Sequence, residues 1–207
     1  MTASTRTRRG PSPPPADAER GSLLDAGLAL LTEQGVTSLT LAAILDRAGL
    51  GTRAFYRHFA SKDEFVLAVW LRETEEAVRR LRRQTDRAAS GHDGVMAWID
   101  DRLRAAFASP RSATFEALWR YGFWLRSAYP TQFDAVANPQ VLVLAEAIDR
   151  GLRDGSISTA DPDLDASTIH AAFWMLAARH INGGQMTRRR ARLQLIRIVE
   201  GLFSAAE

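Results

Sequence analysis

The sequence contains no cysteine, which excludes a disulfide framework and any metal site built on thiolates. It has no uninterrupted apolar run of about eighteen residues, which excludes a membrane-spanning helix. Its start lacks the apolar segment of a secretory leader, because Arg6, Arg8 and Arg9 lead directly into "PSPPP". We therefore expect a cytoplasmic protein that has no membrane partner.

Net charge is also scarce, at +3 for 207 residues. The three arginines of residues 1–15 supply it, whereas residues 16–62 and residues 63–207 each carry equal numbers of acidic and basic side chains. Contact with nucleic acid must therefore be local, in a tail and one patch, which excludes a histone-like or RNA-coating protein. The proline-rich start cannot pack, and we expect residues 1–15 to form a disordered arm.

Groups suited to catalysis are few. None of the four histidines has a metal-ligating partner three or four residues away, and there is no glycine-rich phosphate loop or serine elbow. The neighbouring acids Asp100 and Asp101 lie on an amphipathic segment, where we expect them to face solvent. The sequence therefore predicts that the protein is not an enzyme and holds no metal or cofactor.

Helical periodicity is present along the whole remaining chain, and no strand pair with a hairpin turn is found. Thr40 can cap a short second helix that ends at "AGLG", and "SKDE" is a capping box in which Ser61 and Glu64 serve each other's backbone N–H groups. An aromatic helix is expected over residues 112–128, and another around Val141 to Leu152. The sequence predicts an all-α protein of about nine helices.

The stretch "AGLGTRAFYRHFASKDEF", from Ala48 to Phe65, has the pattern of a helix-turn-helix, whose second helix enters the major groove of DNA. Phe55 and Phe59, four residues apart, are expected to face inward. The outward face then carries residue types that bind guanine edges and phosphates: Thr52, Arg53, Tyr56 and Arg57. Lys62, in the first turn of the next helix, adds its charge to exposed N–H groups and predicts a phosphate site.

The segment "TSLTLAAILDRAGLGTRAFYRHFASKDEF" resembles the DNA-binding region of the tetracycline-repressor (TetR) family of bacterial transcription regulators. The likeness covers about residues 17–70, and the rest matches only in helix number and length. It implies a DNA-binding domain of three helices over residues 16–62 and a larger helical ligand-binding and dimerisation domain over residues 63–207. It also implies phosphate contacts by Thr40, Tyr56 and Lys62, with bases or nearby phosphates addressed by Thr52, Arg53 and Arg57.

The sequence departs from the family at the start of the recognition helix. Gly51 stands where a serine-like cap is usual, and Arg53 and Ala54 stand where the family has glycine and threonine. Glycine is an acceptable cap. Arg53 adds a long donor that relatives lack, so the operator sequence does not follow from the resemblance.

Aromatic residues are concentrated between Trp98 and Phe133, which contain nine of the seventeen in the chain. At a single position a packed core is the more common reason for an aromatic side chain, but the cluster as a whole is typical of a ligand cavity between helices. The candidate lining residues are Met96, Trp98, Phe115, Trp119, Phe123, Trp124, Phe133 and Trp174. Because charge nearby is sparse and limited to Glu116, Arg120 and Arg126, we expect a small, largely apolar and neutral ligand, with His170 bonding any polar handle.

These patterns predict a ligand-responsive regulator, most simply a repressor, that binds a double-stranded DNA operator. One short recognition helix offers few contacts, so we expect a homodimer on a pseudo-palindrome. The last two helices are the expected interface, and small residues on the first of them would allow close packing: Ala171, Ala172, Ala177 and Ala178. A ligand-blind helical binding or scaffold protein remains the alternative.

Overall fold

The protein is all-α in a computed structural model that describes residues 16–35, 38–107, 115–116, 119–120, 122, 127–158 and 160–204, with only the backbone of residues 16 and 132–138. Eight helices have defined bounds within these ranges, and no strand occurs there. The helices are α1 (Ala16–Gln34), α2 (Leu41–Ala48), α3 (Thr52–His58), α4 (Lys62–Asp86), α5 (Gly91–Phe107), α6 (Pro130–Asp154), α7 (Pro162–Ile181) and α8 (Arg188–Phe203). The predicted fold class is confirmed. The aromatic helix expected over residues 112–128 lies mostly outside the described residues. The residues of that range that are described are all helical.

The first hydrophobic core joins α1, α2, α3 and the beginning of α4. Its fully buried side chains include Leu23, Leu31, Ile44, Phe55, Phe59 and Phe65. Thr40 caps α2 as predicted, since its hydroxyl oxygen accepts a hydrogen bond from the Ala43 N–H at 3.2 Å. Gly49 ends α2 with a φ of 64°, the left-handed conformation that glycine adopts without strain. This local geometry produces the tight turn between α2 and α3.

The junction between α3 and α4 is a capping box with one difference from the expectation. Ser61 Oγ accepts from the Glu64 N–H at 3.1 Å, as predicted. The Glu64 carboxylate, however, accepts from the N–H of Ala60 at 2.6 Å and not from that of Ser61. Both contacts fix the direction in which α4 leaves the recognition helix.

The second core is built around α5, which packs against α4, α6, α7 and α8. Its fully buried side chains include Leu81, Trp98, Ile99, Leu103, Leu144, Ile148, Phe173 and Leu195. Since α4 supplies Phe65 to the first core and Leu81 to the second, this helix connects the two. None of the helices formed by the described residues combines the length and the apolar character that crossing a bilayer requires.

The second core also corrects the expectation that Asp100 and Asp101 both face solvent. Asp101 is buried, with 2% of its surface exposed. Its carboxylate accepts hydrogen bonds from Arg80 Nε at 3.0 Å and from Gln84 Nε2 at 3.2 Å. Sequence periodicity missed this burial because the partners lie on another helix, α4, where Arg80 neutralises the carboxylate and Gln84 adds a hydrogen bond.

Helix α6 is longer than the sequence indicated. It begins at Pro130, not near Val141, and continues to Asp154 with Pro139 inside it. Pro130 is at the first helical position, where a missing N–H breaks no helical hydrogen bond. The apolar spacing identified only the second half of the helix, where the described buried apolar side chains of α6 lie.

Candidate functional site

The outward face of α3 is the candidate DNA-binding surface. Phe55 and Phe59 are buried at 1% and 2% exposure, and their rings pack against Phe65 of α4 with centroids 5.4 and 5.1 Å away. The opposite face is open: Tyr56 is 57% exposed, and Thr52, Arg53 and Arg57 are exposed as well. The inward and outward faces therefore lie as the sequence predicted, while the contacts of these side chains with DNA stay a prediction.

Arg57 differs from its neighbours because it already has a partner within the chain. Its Nη1 donates to Oε2 of Glu19 at 2.6 Å, and His58 Nε2 lies 3.1 Å from the same oxygen. Glu19, on α1, is only 4% exposed. The hydrogen bond with His58 and the charge of Arg57 hold the pKa of Glu19 below its ordinary value, against the opposing effect of burial. This group of three side chains fixes α3 on α1.

Sequence reasoning assigned Arg57 to DNA and missed Glu19. The available signal was an acid four residues before the buried Leu23, on the core-facing side of α1. With one nitrogen bound to Glu19, Arg57 presents only part of its guanidinium outward. The contact with Glu19 shows that Arg57 holds α3 in place. Of the two arginines on this helix, Arg53 is therefore the better candidate for contact with a base.

Two further candidates lie at helix starts beside α3. Thr40 is exposed at the N-terminus of α2, and its hydroxyl keeps a proton to donate while its oxygen caps the helix. Lys62 is exposed in the first turn of α4, next to backbone N–H groups that have no helical acceptor. The positive charge of Lys62 and the positive end of the α4 dipole repel each other, so an anion such as a phosphate would be attracted by both.

The aromatic cluster predicted to hold a ligand is partly brought together by α5, α7 and the segment that begins at Phe115. Trp174 stacks on Phe115, with ring centroids 5.2 Å apart and planes at 18°, and on Trp119, at 4.8 Å and 20°. Trp98 is fully buried, and its indole N–H donates to the backbone oxygen of Gln140 at 3.1 Å. Trp98 can therefore offer a ligand apolar contact only.

The other candidates of this cluster are less central or not described. Met96 is half-buried and packs at the edge of the second core. Phe123 and Trp124 lie outside the described residues, and Phe133 belongs to α6 without a described side chain. Their part in a ligand site stays a prediction.

His170 is already hydrogen-bonded within the cluster. Its Nε2 accepts the indole N–H of Trp174 at 2.8 Å, which occupies the nitrogen that a ligand donor would use. Burial, with a contribution from the charge of Arg102, lowers the pKa of His170 to about 4. A neutral imidazole with one nitrogen occupied is a weaker partner for a polar ligand group than the sequence analysis expected.

Arg102 is the residue of this cluster that sequence reasoning missed. It is 4% exposed, and its guanidinium carbon lies 5.6 Å from the ring centroid of Phe115 and 5.3 Å from that of Phe173. Burial lowers its pKa to about 10, so it remains a cation at neutral pH. Its spacing of four residues from Trp98 was the available signal, because that places it on the same face of α5.

The predicted dimer surface on α7 and α8 also needs one correction. Ala177 is fully buried in the protomer's own core and cannot meet a partner, whereas Ala171 is exposed. Large apolar side chains are exposed on these two helices: Leu164 at 63%, Met175 at 55% and Leu193 at 49%. Apolar residues that are exposed singly are ordinary, and they mark an interface only where they form a contiguous patch.

Comparison with known proteins agrees with these features. Residues 23–69 match the family described as "Bacterial regulatory proteins, tetR family". The transcriptional activator FasR of Mycolicibacterium smegmatis is 33% identical over 112 residues, which are 47% of this chain and 51% of FasR, so the match spans about half of that relative. The transcriptional repressor KstR2 of Mycobacterium tuberculosis is 24% identical over 200 residues, covering 89% of this chain and 92% of KstR2. A TetR-family regulator from Pectobacterium atrosepticum has the same fold, with a TM-score of 0.75, 21% identity and coverage of 93% and 97%.

Proposed function

Because this chain is a TetR-family transcriptional regulator and not an enzyme, we propose that it works as a dimeric repressor that a small molecule releases from a pseudo-palindromic operator. The observation that carries the proposal is the two-sided nature of α3. This helix buries Phe55 and Phe59 and leaves Arg53 and Tyr56 in solvent, as insertion into a major groove requires.

The two cores support a division of the chain into a DNA-binding domain, residues 16–62, and a ligand-binding and dimerisation domain, residues 63–207. The large apolar side chains buried in α1, α2 and α3 belong to the first core, and those buried in α5 to α8 belong to the second. Helix α4 belongs to both, because Phe65, Val66 and Val69 complete the first core while Leu81 enters the second. A change in the direction of α4 would therefore move the recognition helix relative to the larger domain.

The homodimer would form through α7 and α8. Leu164 and Met175 are eleven residues apart on α7, about three helical turns, so they share one face with Ala171 between them. Leu193 exposes an apolar side chain on α8. Pairing these faces with a second copy would bury them in a four-helix interface and set two α3 helices at the half-site spacing of about 34–36 Å or a multiple of it.

The ligand would bind at the aromatic cluster of α5 and α7 and favour a protein conformation with a different separation of the two α3 helices. A ligand that binds both conformations equally shifts nothing, so the proposal requires tighter binding to the DNA-free form. Of the two relatives named above, KstR2 is a repressor and FasR an activator, and the proposal follows the one that matches over most of the chain.

Selection of bound sequences from random DNA at stated salt tests the proposal, followed by titrations with two variants. Arg53→Ala is expected to lower discrimination between operator and mismatched DNA by about 1–3 kcal/mol. Lys62→Ala is expected to weaken all sequences alike and to reduce the slope of log K against log salt by about one unit. Arg83→Ala, an exposed charge near the other end of α4, is the matched control and should change neither quantity.

A ligand-blind scaffold protein, the alternative, predicts no steeply salt-dependent DNA affinity. Selection that returns no enriched sequence would contradict the regulator proposal. Equal loss of specific and nonspecific binding in Arg53→Ala would contradict the role of that residue in reading bases. A reporter gene downstream of the selected sequence distinguishes repression from activation.

A further inference from the structure

The buried arginine of the aromatic cluster, Arg102, has no hydrogen-bonded anionic partner among the described residues. The charge of its neighbour Asp101 offsets part of the cost of burying Arg102, but that carboxylate accepts its hydrogen bonds from Arg80 and Gln84. The Nε atom of Arg102 is buried and has no hydrogen-bond partner in the described part of the chain. A buried cation is normally paired, so an unpaired one indicates a missing anion.

The surroundings of Arg102 are apolar and flat. The rings of Phe115 and Phe173 lie within 5.6 Å of its guanidinium carbon, and Trp174 stacks on Phe115. The faces of these rings attract the guanidinium through cation–π interactions, but the rings supply no conventional hydrogen-bond acceptor for its N–H groups. His170 also faces this cluster, and it is neutral at physiological pH because burial and the charge of Arg102 lower its pKa to about 4.

We infer that the ligand of this regulator is an organic carboxylate, whose carboxylate pairs with Arg102 and whose apolar body packs against Phe115 and Trp174. The inference rests on the proposed ligand response and replaces the neutral ligand expected from sequence. That expectation counted Glu116, Arg120 and Arg126 as the nearby charges. In the structure Glu116 and Arg120 bind each other at 2.9 Å on the surface, while Arg102 is the charge inside the cluster.

A carboxylate satisfies the site in a way that a neutral ligand does not. Its two oxygens accept hydrogen bonds from a guanidinium in a forked geometry, and the pair brings no net charge into the core. A neutral alcohol would leave the buried positive charge uncompensated. Binding of the carboxylate should therefore be favoured over an alcohol of the same carbon frame by roughly 10- to 100-fold.

Calorimetric titration of the full-length protein with matched probes tests this inference. The pairs are octanoate with 1-octanol, and 2-naphthoate with 2-naphthalenemethanol. Each compound is titrated up to about 1 mM, so that dissociation constants up to about that value are detected. Wild-type protein is expected to prefer at least one carboxylate, Arg102→Met to lose that preference, and Arg102→Lys to keep part of it. Arg104→Met is the matched control. This arginine lies on the same helix with half of its side chain exposed, and its contact with Asp101 is long, at 3.9 Å, so its replacement should leave the preference unchanged.

Stability measurements on the same variants separate a ligand anchor from a structural arginine. Replacing an unpaired buried charge by an apolar side chain of similar length should leave the melting temperature unchanged or raise it. A lower melting temperature for Arg102→Met than for Arg104→Met would overturn the inference, because it would show that the cation stabilises the core. Wild-type protein that binds no carboxylate, or binds the alcohol as tightly, would overturn it as well, even if Arg102→Met fails to fold.

These outcomes are separable from failure of the proposed function. The titrations contain no DNA, so the carboxylate preference can be found in a protein that binds no operator. Conversely, a protein that binds its operator and is released by a neutral ligand alone would keep the proposed function while refuting the carboxylate.

Discussion

Replacement of Asp101 by asparagine should destabilise the protein strongly, although the residue lies beside an acid that can be replaced with little effect. The Asp101 carboxylate is 2% exposed and accepts hydrogen bonds from Arg80 Nε at 3.0 Å, Arg80 Nη2 at 3.3 Å and Gln84 Nε2 at 3.2 Å. The side chain of Arg80 is itself only 20% exposed. Asparagine has nearly the same size but carries no charge, and its amide replaces one of the two accepting oxygens with an N–H donor. The change therefore removes both the ionic attraction and part of the hydrogen bonding.

The expected size of the effect follows from the burial of both partners. Removing one member of a buried ion pair leaves the other charge without compensation, which typically costs about 3–5 kcal/mol. Here the cost falls on two cations, because the charge of Asp101 also offsets part of the desolvation of Arg102. For a chain of this length, a loss of about 3 kcal/mol lowers the melting temperature by roughly 6–12 °C.

The matched control is Asp100→Asn. Asp100 binds Arg192 at 2.6 Å, but the side chains of the pair are 32% and 41% exposed, so solvent screens the interaction. Surface pairs of this kind contribute about 0–1 kcal/mol. Urea unfolding at equal protein concentration, with equal slopes for the two variants, measures the difference. A loss below about 1 kcal/mol for Asp101→Asn, or one equal to that of Asp100→Asn, would refute the burial on which this reasoning depends.

Two other predictions concern the packing of α1 and the dimer surface. A Cβ added at Gly27 would lie 2.5 Å from Cζ of the fully buried Phe65, whereas one added at Gly21 meets nothing within 4 Å. Both changes to alanine gain about 1 kcal/mol of helix propensity. Gly27→Ala should nevertheless be less stable than Gly21→Ala by about 1–3 kcal/mol, the usual cost of overpacking a core. Equal unfolding midpoints for the two variants would show that the contact with Phe65 is loose. Met175→Glu should convert the dimer to monomers in light scattering at micromolar concentration, because it places a charge at the centre of the proposed interface. Leu142→Glu, a similarly exposed position on α6, should not, and a dimer that persists in Met175→Glu would place the interface elsewhere.

Local signals in the sequence were sufficient to predict the helix-turn-helix. The caps at Thr40 and Ser61, the turn glycine at position 49 and the spacing of Phe55 and Phe59 each specify geometry within a few residues of themselves. Their agreement predicted which face of α3 is buried, and the structure confirms it.

The missed features have partners that are distant in the chain. The burial of Asp101 depends on Arg80 and Gln84 of α4, and that of Glu19 on Arg57, thirty-eight residues later. A charged residue in a sequence indicates a surface position by default, because burial is favourable only when a complementary group is supplied by another element. Arg102 shows the limit of this rule, since its complementary group is absent from the described chain and must be inferred.

The same residues offer a route by which the proposed ligand would influence the proposed DNA binding. Asp101 and Arg102 are consecutive on α5, so the contact that holds α5 to Arg80 of α4 lies next to the proposed carboxylate anchor. At its other end, α4 carries Phe65, which packs against both aromatic anchors of the recognition helix. An anion at Arg102 changes the balance of charge that Asp101 shares between Arg80 and Arg102. By linkage, if carboxylate binding weakens operator affinity by a given factor, the operator must weaken carboxylate affinity by the same factor, and this equality holds whatever the path of coupling.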